Sequence, residues 1–392
     1  MTKRIAIVGK GTAGVTAAVH FQRFFPEHEI VWYFDSSVPT QSVGEGSTLE
    51  LPKNLWNGVG FSNTELKNVN GSYKTGVYKV NWGPKGENFY SEFPPPNIGY
   101  HFSAVELQSY LLEKLKDRVT VVDQNVDYKK VDADFVFNAS GTPKTFENFY
   151  KSEYIPLNAA YVVQCPQDRP LFDYTLANAR KHGWVFGIPL QNRLSFGYMY
   201  NKDISSEEEI REDLQDLIDQ YKVKPEGEPN KLTFNNYYRK ENFESGGRVA
   251  HSGNASFFLE PLEATSIGTM DRIQRMAFDI WSGNKSHQQA NEEYLNFLNR
   301  TELVIMMHYA AGSAHKSDFW DYAQERGEKK LKEASKDPDF RNMYKLVRQL
   351  PSMNLAPVAP NFPEYGPWWA GAFYQNIKGL GLEKTLDKLV RF

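Results

Sequence analysis

Gly9, Gly11 and Gly14 follow the apolar run Arg4, Ile5, Ala6, Ile7, Val8 and precede residues 15–25, which read as a helix. Strand, tight turn and helix in that order make an anion site. The first glycine permits the turn, the second lets backbone approach a pyrophosphate, and the third lets helix pack on strand. The amides around Thr12 and Ala13 stand at the helix start, where the macrodipole favours negative charge. A second apolar run, 30–34, ends at Asp35, about 20 residues beyond the glycines, where a carboxylate can bind a ribose hydroxyl. These residues predict a dinucleotide-binding unit and leave nicotinamide and flavin equally open.

Composition narrows the classes. The chain has 392 residues and a formal net charge of −3 with intermixed signs. It can therefore bury a large core, and it offers neither a basic stripe for nucleic acid nor a polybasic arm for a membrane surface. No apolar run approaches the ~20 residues that span a bilayer. Cys165 is the only cysteine, which excludes an internal disulfide, a cysteine zinc site and an iron–sulfur cluster, and fits a reducing cytoplasm. His308 and His315 lack ligand spacing, so no metal site is expected. Aromatic residues make up 14% of the chain, enough for a site that handles flat rings and equally for an aromatic core.

The elements that must position such chemistry can be read in turn. Residues 51–70 read as helix and loop. Residues 72–82 alternate as one strand, with Lys74, Tyr78 and Trp82 on one face and Lys79 on the other. Ser103 and Glu106 form a capping box ahead of Leu107, Leu111 and Leu115, and 119–122 and 135–139 are strands. Further strands are expected at 161–164, 183–189, 194–200 and 232–238, interrupted by a helix capped by Ser206 and Glu209. From Met270 the chain reads as helical to Arg348, followed by a proline-rich surface segment, 351–367, and short terminal helix. The fold class is α/β: a Rossmann-like nucleotide domain interleaved with a mixed β-sheet region and a C-terminal helical region.

Several stretches then resemble one family. Phe258, Leu259, Glu260, Pro261, Leu262, Glu263, Ala264, Thr265, followed by Ser266 and Ile267, is similar to the Glu-Pro-Leu-Glu-Ser-Thr-Gly signature of flavin-dependent tryptophan halogenases. Asn70, Gly71, Ser72, Tyr73, Lys74, continuing to Asn81 and Trp82, resembles the strand that bears that family's active-site lysine. Gly183, Trp184, Val185, Phe186, Gly187, Ile188, Pro189 is similar to the family's Trp-x-Trp-x-Ile-Pro motif, with Phe186 in place of the second tryptophan. Together with the glycine turn these stand in the family's order, and shorter matches at 43–48, 101–102, 140–141, 197–200 and 379–382 extend the resemblance nearly end to end. The chain is shorter than typical members and looks most like a compact phage-encoded halogenase.

The resemblance implies an FAD-binding part at 1–60, 98–150 and 245–285, a β-rich substrate part at 61–97 and 151–244, and a helical part at 286–392, all within one compact unit. It implies that reduced FAD from a separate flavin reductase, with oxygen and halide, yields hypohalous acid that halogenates an aromatic substrate. Gly9, Gly11, Thr12, Ala13, Gly14, Asp35, Gly46, Ser47, Val126 and Ile267 would bind the cofactor. Trp184, Phe186 and Pro189 would wall it off from the substrate. Lys74 would hydrogen-bond or carry the oxidant. Glu263 would orient it and accept the proton as the ring rearomatises, with Glu260 structural, and the amides of Thr265 and Ser266 would hold halide.

Phe89, Tyr90 and Ser91 mark the substrate region, while His101 reads as a satisfied core histidine. Three positions depart from the family pattern: Ala264 replaces a serine, Ser266 a glycine, and Ser91 a substrate-contacting histidine. The insert that covers free tryptophan is also missing. These departures predict bromide or iodide over chloride, and an electron-rich phenol, indole or larger aromatic rather than free tryptophan. An aromatic hydroxylase and a non-catalytic flavin-binding protein are the competing readings, and homo-oligomerisation is left open.

Overall fold

The apolar run at the amino terminus becomes a central strand, Arg4–Val8, because its side chains are buried on both faces; Ile5, Ala6 and Ile7 are wholly inaccessible. A computed structural model describes residues 2–40, 45–353 and 363–390. The chain divides into two units, one of Met1–Ser72, Gly99–Lys151 and Tyr237–Asn296, the other of Tyr73–Ile98, Ser152–Asn236 and Phe297–Phe392. The fold is mixed α/β.

In the first unit six strands run in the order Phe243–Glu244, Val249–His251, Phe135–Asn138, Arg4–Val8, Glu29–Phe34, Thr120–Asp123. All pairs are parallel except the edge pair Phe243–Glu244 with Val249–His251. A parallel sheet must be covered on its faces. The helix Thr12–Phe24 does this with Val15, Ala17, Ala18 and Phe21, and Ala104–Leu115 and Thr265–Trp281 add further buried faces. The carboxyl ends of the strands release Gly9, Asp35, Gln124 and Ala139 at one edge of the sheet, the edge at which open α/β sheets bind ligands.

In the second unit seven strands run in the order Glu226–Thr233, Ala159–Pro166, Arg193–Tyr200, Gly183–Pro189, Thr175–Arg180, Gly76–Val80, Phe89–Glu92. Every pair is antiparallel except Thr175–Arg180 with Gly76–Val80. Strand alternation gives the two faces different partners. Tyr161, Val185, Phe196 and Tyr198 pack under Ile210, Leu214, Leu217 and Ile218 of the helix Glu207–Tyr221. Trp184 and Phe186 point the other way. There Trp184 lies 6.4 Å from Trp82, whose ring meets His308, Tyr309 and Trp320 edge-on at 5.3, 6.0 and 5.6 Å. The indole N–H groups of Trp82 and Trp320 donate to the carbonyls of Ala177 and Arg180, so a largely aromatic layer is tied to the sheet without orphaning either donor.

Several expectations are corrected. The run 72–82 is two strands, Ser72–Lys74 and Gly76–Val80, and only the latter joins the seven-stranded sheet. Lys74 and Lys79 are both buried, at 1% and 0% exposure, so opposite faces of one strand do not describe them. The expected strand 232–238 likewise divides into Glu226–Thr233 and Tyr237–Arg239, which join different sheets. Thr175–Arg180 was not anticipated, since Ala177, Asn178 and Ala179 carry no β signal. The helix expected from Met270 starts at Thr265. At Ser103 only half of the capping box forms, Ser103 Oγ accepting from Glu106 N at 3.4 Å, whereas Ser206 and Glu209 make both bonds. Gly183–Pro189 occurs at its expected bounds. Of the proline-rich segment 351–367, residues 354–362 lie outside the described ones, as do Val43 and Gly44 of the 43–48 match. No helix among the described residues is long and apolar enough to cross a membrane.

Gly197 pairs with Phe186 across the sheet, and a Cβ added there would lie 2.0 Å from the Phe186 ring. Gly197→Ala is therefore expected to destabilise the fold by about 1–3 kcal/mol, as overpacking does, and to lower the urea midpoint. An unchanged midpoint would show that Phe186 moves aside freely.

Candidate functional site

At the carboxyl edge of the six-stranded sheet lies a cavity of about 460 Å³ lined by Gly9, Gly11, Thr12, Ala13, Asp35 and Val126, together with Lys10, Gln108, Gln124, Ser140, Thr142, Asn254 and Met270. The three glycines of the turn have separate reasons. A Cβ on Gly9, at φ +110°, would stand 2.1 Å from the carbonyl oxygen of Ala139, and one on Gly14 would stand 1.9 Å from that of Gly9. These two are required by the fold. Gly11 has an ordinary φ of −58°, and a Cβ there would meet no protein atom within 4 Å. Its open side faces the cavity, so the free space suits a ligand. The helix behind it, Thr12–Phe24, has no side-chain cap at its start, which leaves the first-turn amides to a bound anion.

Around this turn the loops are held by short polar links. Asp35 Oδ1 accepts from Ser37 N at 3.0 Å and Ser37 Oγ at 2.5 Å, and Lys10 Nζ donates to Ser36 O at 3.1 Å. On the other side Asn138 Oδ1 accepts from Ser140 N at 3.2 Å, and its Nδ2 faces His251 Nδ1 at 2.9 Å. His251 Nε2 in turn lies 3.2 Å from Glu244, which pairs with Arg239. Burial pushes the Glu244 carboxyl up, but the His251 hydrogen bond and charge and the Arg239 guanidinium outweigh it and hold the group at about 2. Burial lowers the pKa of His251. A buried chain of four side chains thus fixes the Ser140 turn at the cavity.

The segment of the expected carboxylates is backbone-strained. Glu263 and Ala264 both adopt left-handed conformations, at φ 68° and 54°, although neither is glycine; each such residue costs on the order of 1–3 kcal/mol and such costs concentrate at functional positions. The helix Thr265–Trp281 starts directly after them with no side-chain cap. Thr265 is buried, and its Oγ1 has no hydrogen-bond partner. Glu260 is fully buried and Glu263 half-buried. Gly14, Gly46, Ser47 and Ile267 stand outside the lining of the cavity. Ser47 exchanges two hydrogen bonds with the backbone of Tyr100, Gly46 bridges His101, and Ile267 borders a small separate space beside Thr16, Leu51 and Asn54. His101 is fully buried, with Nδ1 3.2 Å from Ser72 Oγ.

In the second unit the Lys74 ammonium lies 5.6 Å from the centroid of the Phe93 ring. Phe89, Tyr90 and Ser91 pair with Lys79, Tyr78 and Val77 across an antiparallel ladder. Trp184 and Phe186 are neighbours at 6.3 Å, and Trp184 Nε1 is buried without a hydrogen-bond partner. Pro189 closes the same strand.

The family model for tryptophan halogenases matches residues 4–134 and 110–345. The chain belongs to the tryptophan halogenase family. Among curated proteins it is 25% identical to the tryptophan 6-halogenase SttH of Streptomyces toxytricini, over 70% of this chain and 56% of that one, so the match spans little more than half of that relative. It is 23% identical to the tryptophan 7-halogenase RebH of Lentzea aerocolonigenes, over 97% of this chain and 89% of that one. Among solved structures, Xcc4156, a flavin-dependent halogenase from Xanthomonas campestris, superposes with a TM-score of 0.78 at 16% identity, covering 100% of this chain and 94% of that one. At that identity the superposition shows the fold of the family.

The family is flavin-dependent, and the cavity has room for such a group: the helix start is uncapped and Gly11 carries no side chain into the space, with Asp35 and Val126 in the same wall. Sequence reasoning missed Lys10, Gln108, Gln124, Thr142, Asn254 and Met270. Lys10 could have been found, since it sits inside the glycine turn, whereas the others come from separate loops with no local signature.

Two tests follow from this geometry. Gly11→Ala is expected to keep the melting temperature and weaken FAD binding at least tenfold in a fluorescence titration, whereas Gly9→Ala lowers the melting temperature; equal FAD affinity of Gly11→Ala and parent would separate this turn from the cofactor. For Glu244 the folded pKa lies below its ordinary value of 4.5, so its contribution to stability is complete above about pH 4.5 and is lost as pH falls toward 2. Acid denaturation of Glu244→Gln is expected to show a weaker pH dependence than the parent in that window, and parent-like dependence would count against the pairing.

Proposed function

We propose that this chain is an FAD-dependent halogenase which, supplied with reduced FAD by a separate flavin reductase, uses oxygen and halide to halogenate an electron-rich aromatic compound other than free tryptophan. Membership of the family supports the reaction class. The observation that carries the reading to individual residues is Lys74, a fully buried cation set against an aromatic ring. Buried lysines are rare, and Lys79 is buried as well; the match of Asn70, Gly71, Ser72, Tyr73 and Lys74 to the family's strand is what singles out Lys74.

When bound, reduced FAD supplies the two electrons that turn oxygen and halide into hypohalous acid. In this reading the amides around Gly11, Thr12 and Ala13 hold the cofactor's pyrophosphate, and Asp35 its ribose. The uncapped start of Thr265–Trp281, with Thr265 and Ser266, receives halide. Trp184, Phe186 and Pro189 keep the cofactor and the organic substrate apart. Lys74 hydrogen-bonds hypohalous acid and presents its halogen to the ring carbon; the O–halogen bond breaks as C–halogen forms, the departing hydroxide takes a proton from the Lys74 ammonium and leaves as water, and Glu263 takes the ring proton. The left-handed backbone at Glu263 and Ala264 supports a carboxylate held in one orientation.

Ser266 in place of glycine at the halide position supports bromide or iodide over chloride. Ser91 in place of histidine, and the missing tryptophan-covering insert, support a more open site for a phenol, an indole or a larger aromatic. Within the family we read the chain as a compact, phage-encoded type working in a reducing cytoplasm.

The test combines the protein with FAD, an unrelated flavin reductase, NADH, air and bromide, with a phenol or indole as trap. Brominated product is expected from the parent and at least a hundredfold less from Lys74→Ala at unchanged FAD affinity. Hydroxylated product independent of halide would make the chain a hydroxylase, and no product despite tight FAD binding would make it a flavin-binding protein. Chloride turnover equal to bromide would overturn the halide preference.

A further inference from the structure

Behind the strand Phe89–Glu92 the helix Ala370–Gly379 carries a buried amide that nothing in the proposed chemistry uses. Asn376 is wholly inaccessible. Its Nδ2 donates to Ala372 O at 2.9 Å and to Ser91 Oγ at 3.3 Å, and Ser91 Oγ donates onward to Gln375 Oε1 at 3.3 Å. Both amide hydrogens are thereby spent, and the Ala372 carbonyl accepts only from N–H, so the amide cannot flip. Its Oδ1 is left as a buried acceptor with no hydrogen-bond partner, an arrangement that costs stability unless a donor reaches it.

The surroundings say which donor. Ser91 and Phe93 are two residues apart along an extended ladder, which Phe93 continues by donating its N–H to Thr75 O at 2.8 Å; they therefore share a face. On that face Phe93 is half-buried, with the Lys74 ammonium 5.6 Å from its ring centroid and the Trp369 ring at 6.4 Å. Trp369 Nε1 is a second buried polar atom without a partner. Two flat rings and the lysine thus stand on the face of the ladder that also carries Ser91, the residue to which Asn376 donates.

We propose that Asn376 is a specificity-determining residue whose Oδ1 accepts a hydrogen bond from the ring N–H or O–H of the aromatic substrate, while Ser91 holds the amide in position. The inference rests on the halogenase reading and names its substrate class: indoles and phenols with a free donor, in preference to rings of the same shape without one. A site with a buried acceptor rejects the donorless analogue because the acceptor is then desolvated and unpaired.

Binding is measured by calorimetry on the protein loaded with oxidised FAD, so that no turnover occurs, comparing indole with benzofuran and phenol with fluorobenzene. The parent is expected to bind the donor of each pair at least tenfold tighter. Asn376→Leu is expected to bring the ratio near one, chiefly by weakening the donor ligands, and Ser91→Ala to reduce it several-fold. Equal binding within each pair by the parent, or an unchanged ratio in folded Asn376→Leu, overturns the inference. Should that variant fail to fold, an unchanged ratio in Ser91→Ala overturns it. Bromination of phenol by a parent that does not discriminate would leave the halogenase reading and sink this inference, and discrimination without bromination would do the reverse.

Discussion

One backbone carbonyl, that of Gly9, organises the first unit. It accepts the indole N–H of Trp32 at 2.8 Å, and the α-carbon of Gly14 approaches so closely that a single methyl would overlap it. The Gly9 amide donates to Tyr33 O while its own α-carbon lies against Ala139. Three adjacent strands and the first helix therefore meet around one residue without a side chain. Close packing makes such a junction nearly incompressible, and from it follow the direction of the helix, the position of Gly11 and the common edge at which Asp35, Gln124 and Ser140 are released.

The second unit uses a different device. Its sheet is built from antiparallel neighbours, and its two faces are filled by unlike material, aliphatic and tyrosine side chains under one helix and indoles under the others. Much of the chain's aromatic content is spent there. The aromatic content thus serves the core in large part, and only a few rings, Phe93 among them, stand beside Lys74.

What could be read from the sequence was what is local. The glycine turn, the strand 183–189 and the capping box at Ser206 and Glu209 carry their cause within a few residues. The break at Thr75 does not: Thr75 N donates to Asp173 O, almost a hundred residues on, and Asn81 turns left-handed without the glycine that would have announced it. The helix start at Thr265 was hidden for the same reason, since Glu263 and Ala264 hold conformations that their residue types disfavour. The cavity wall was half legible. The turn and Asp35 are consecutive features of one βαβ unit, while Gln108, Thr142, Asn254 and Met270 meet only because the sheet brings its strand ends to one edge.

Ala264 has a consequence for how this protein could be improved. A left-handed alanine is a position at which glycine would relax the backbone, and a search for thermostable variants would therefore be drawn to it. The same relaxation would widen the range of orientations open to the neighbouring Glu263. Backbone relaxation and a fixed orientation pull in opposite directions at this one residue, the usual tension between stability and activity.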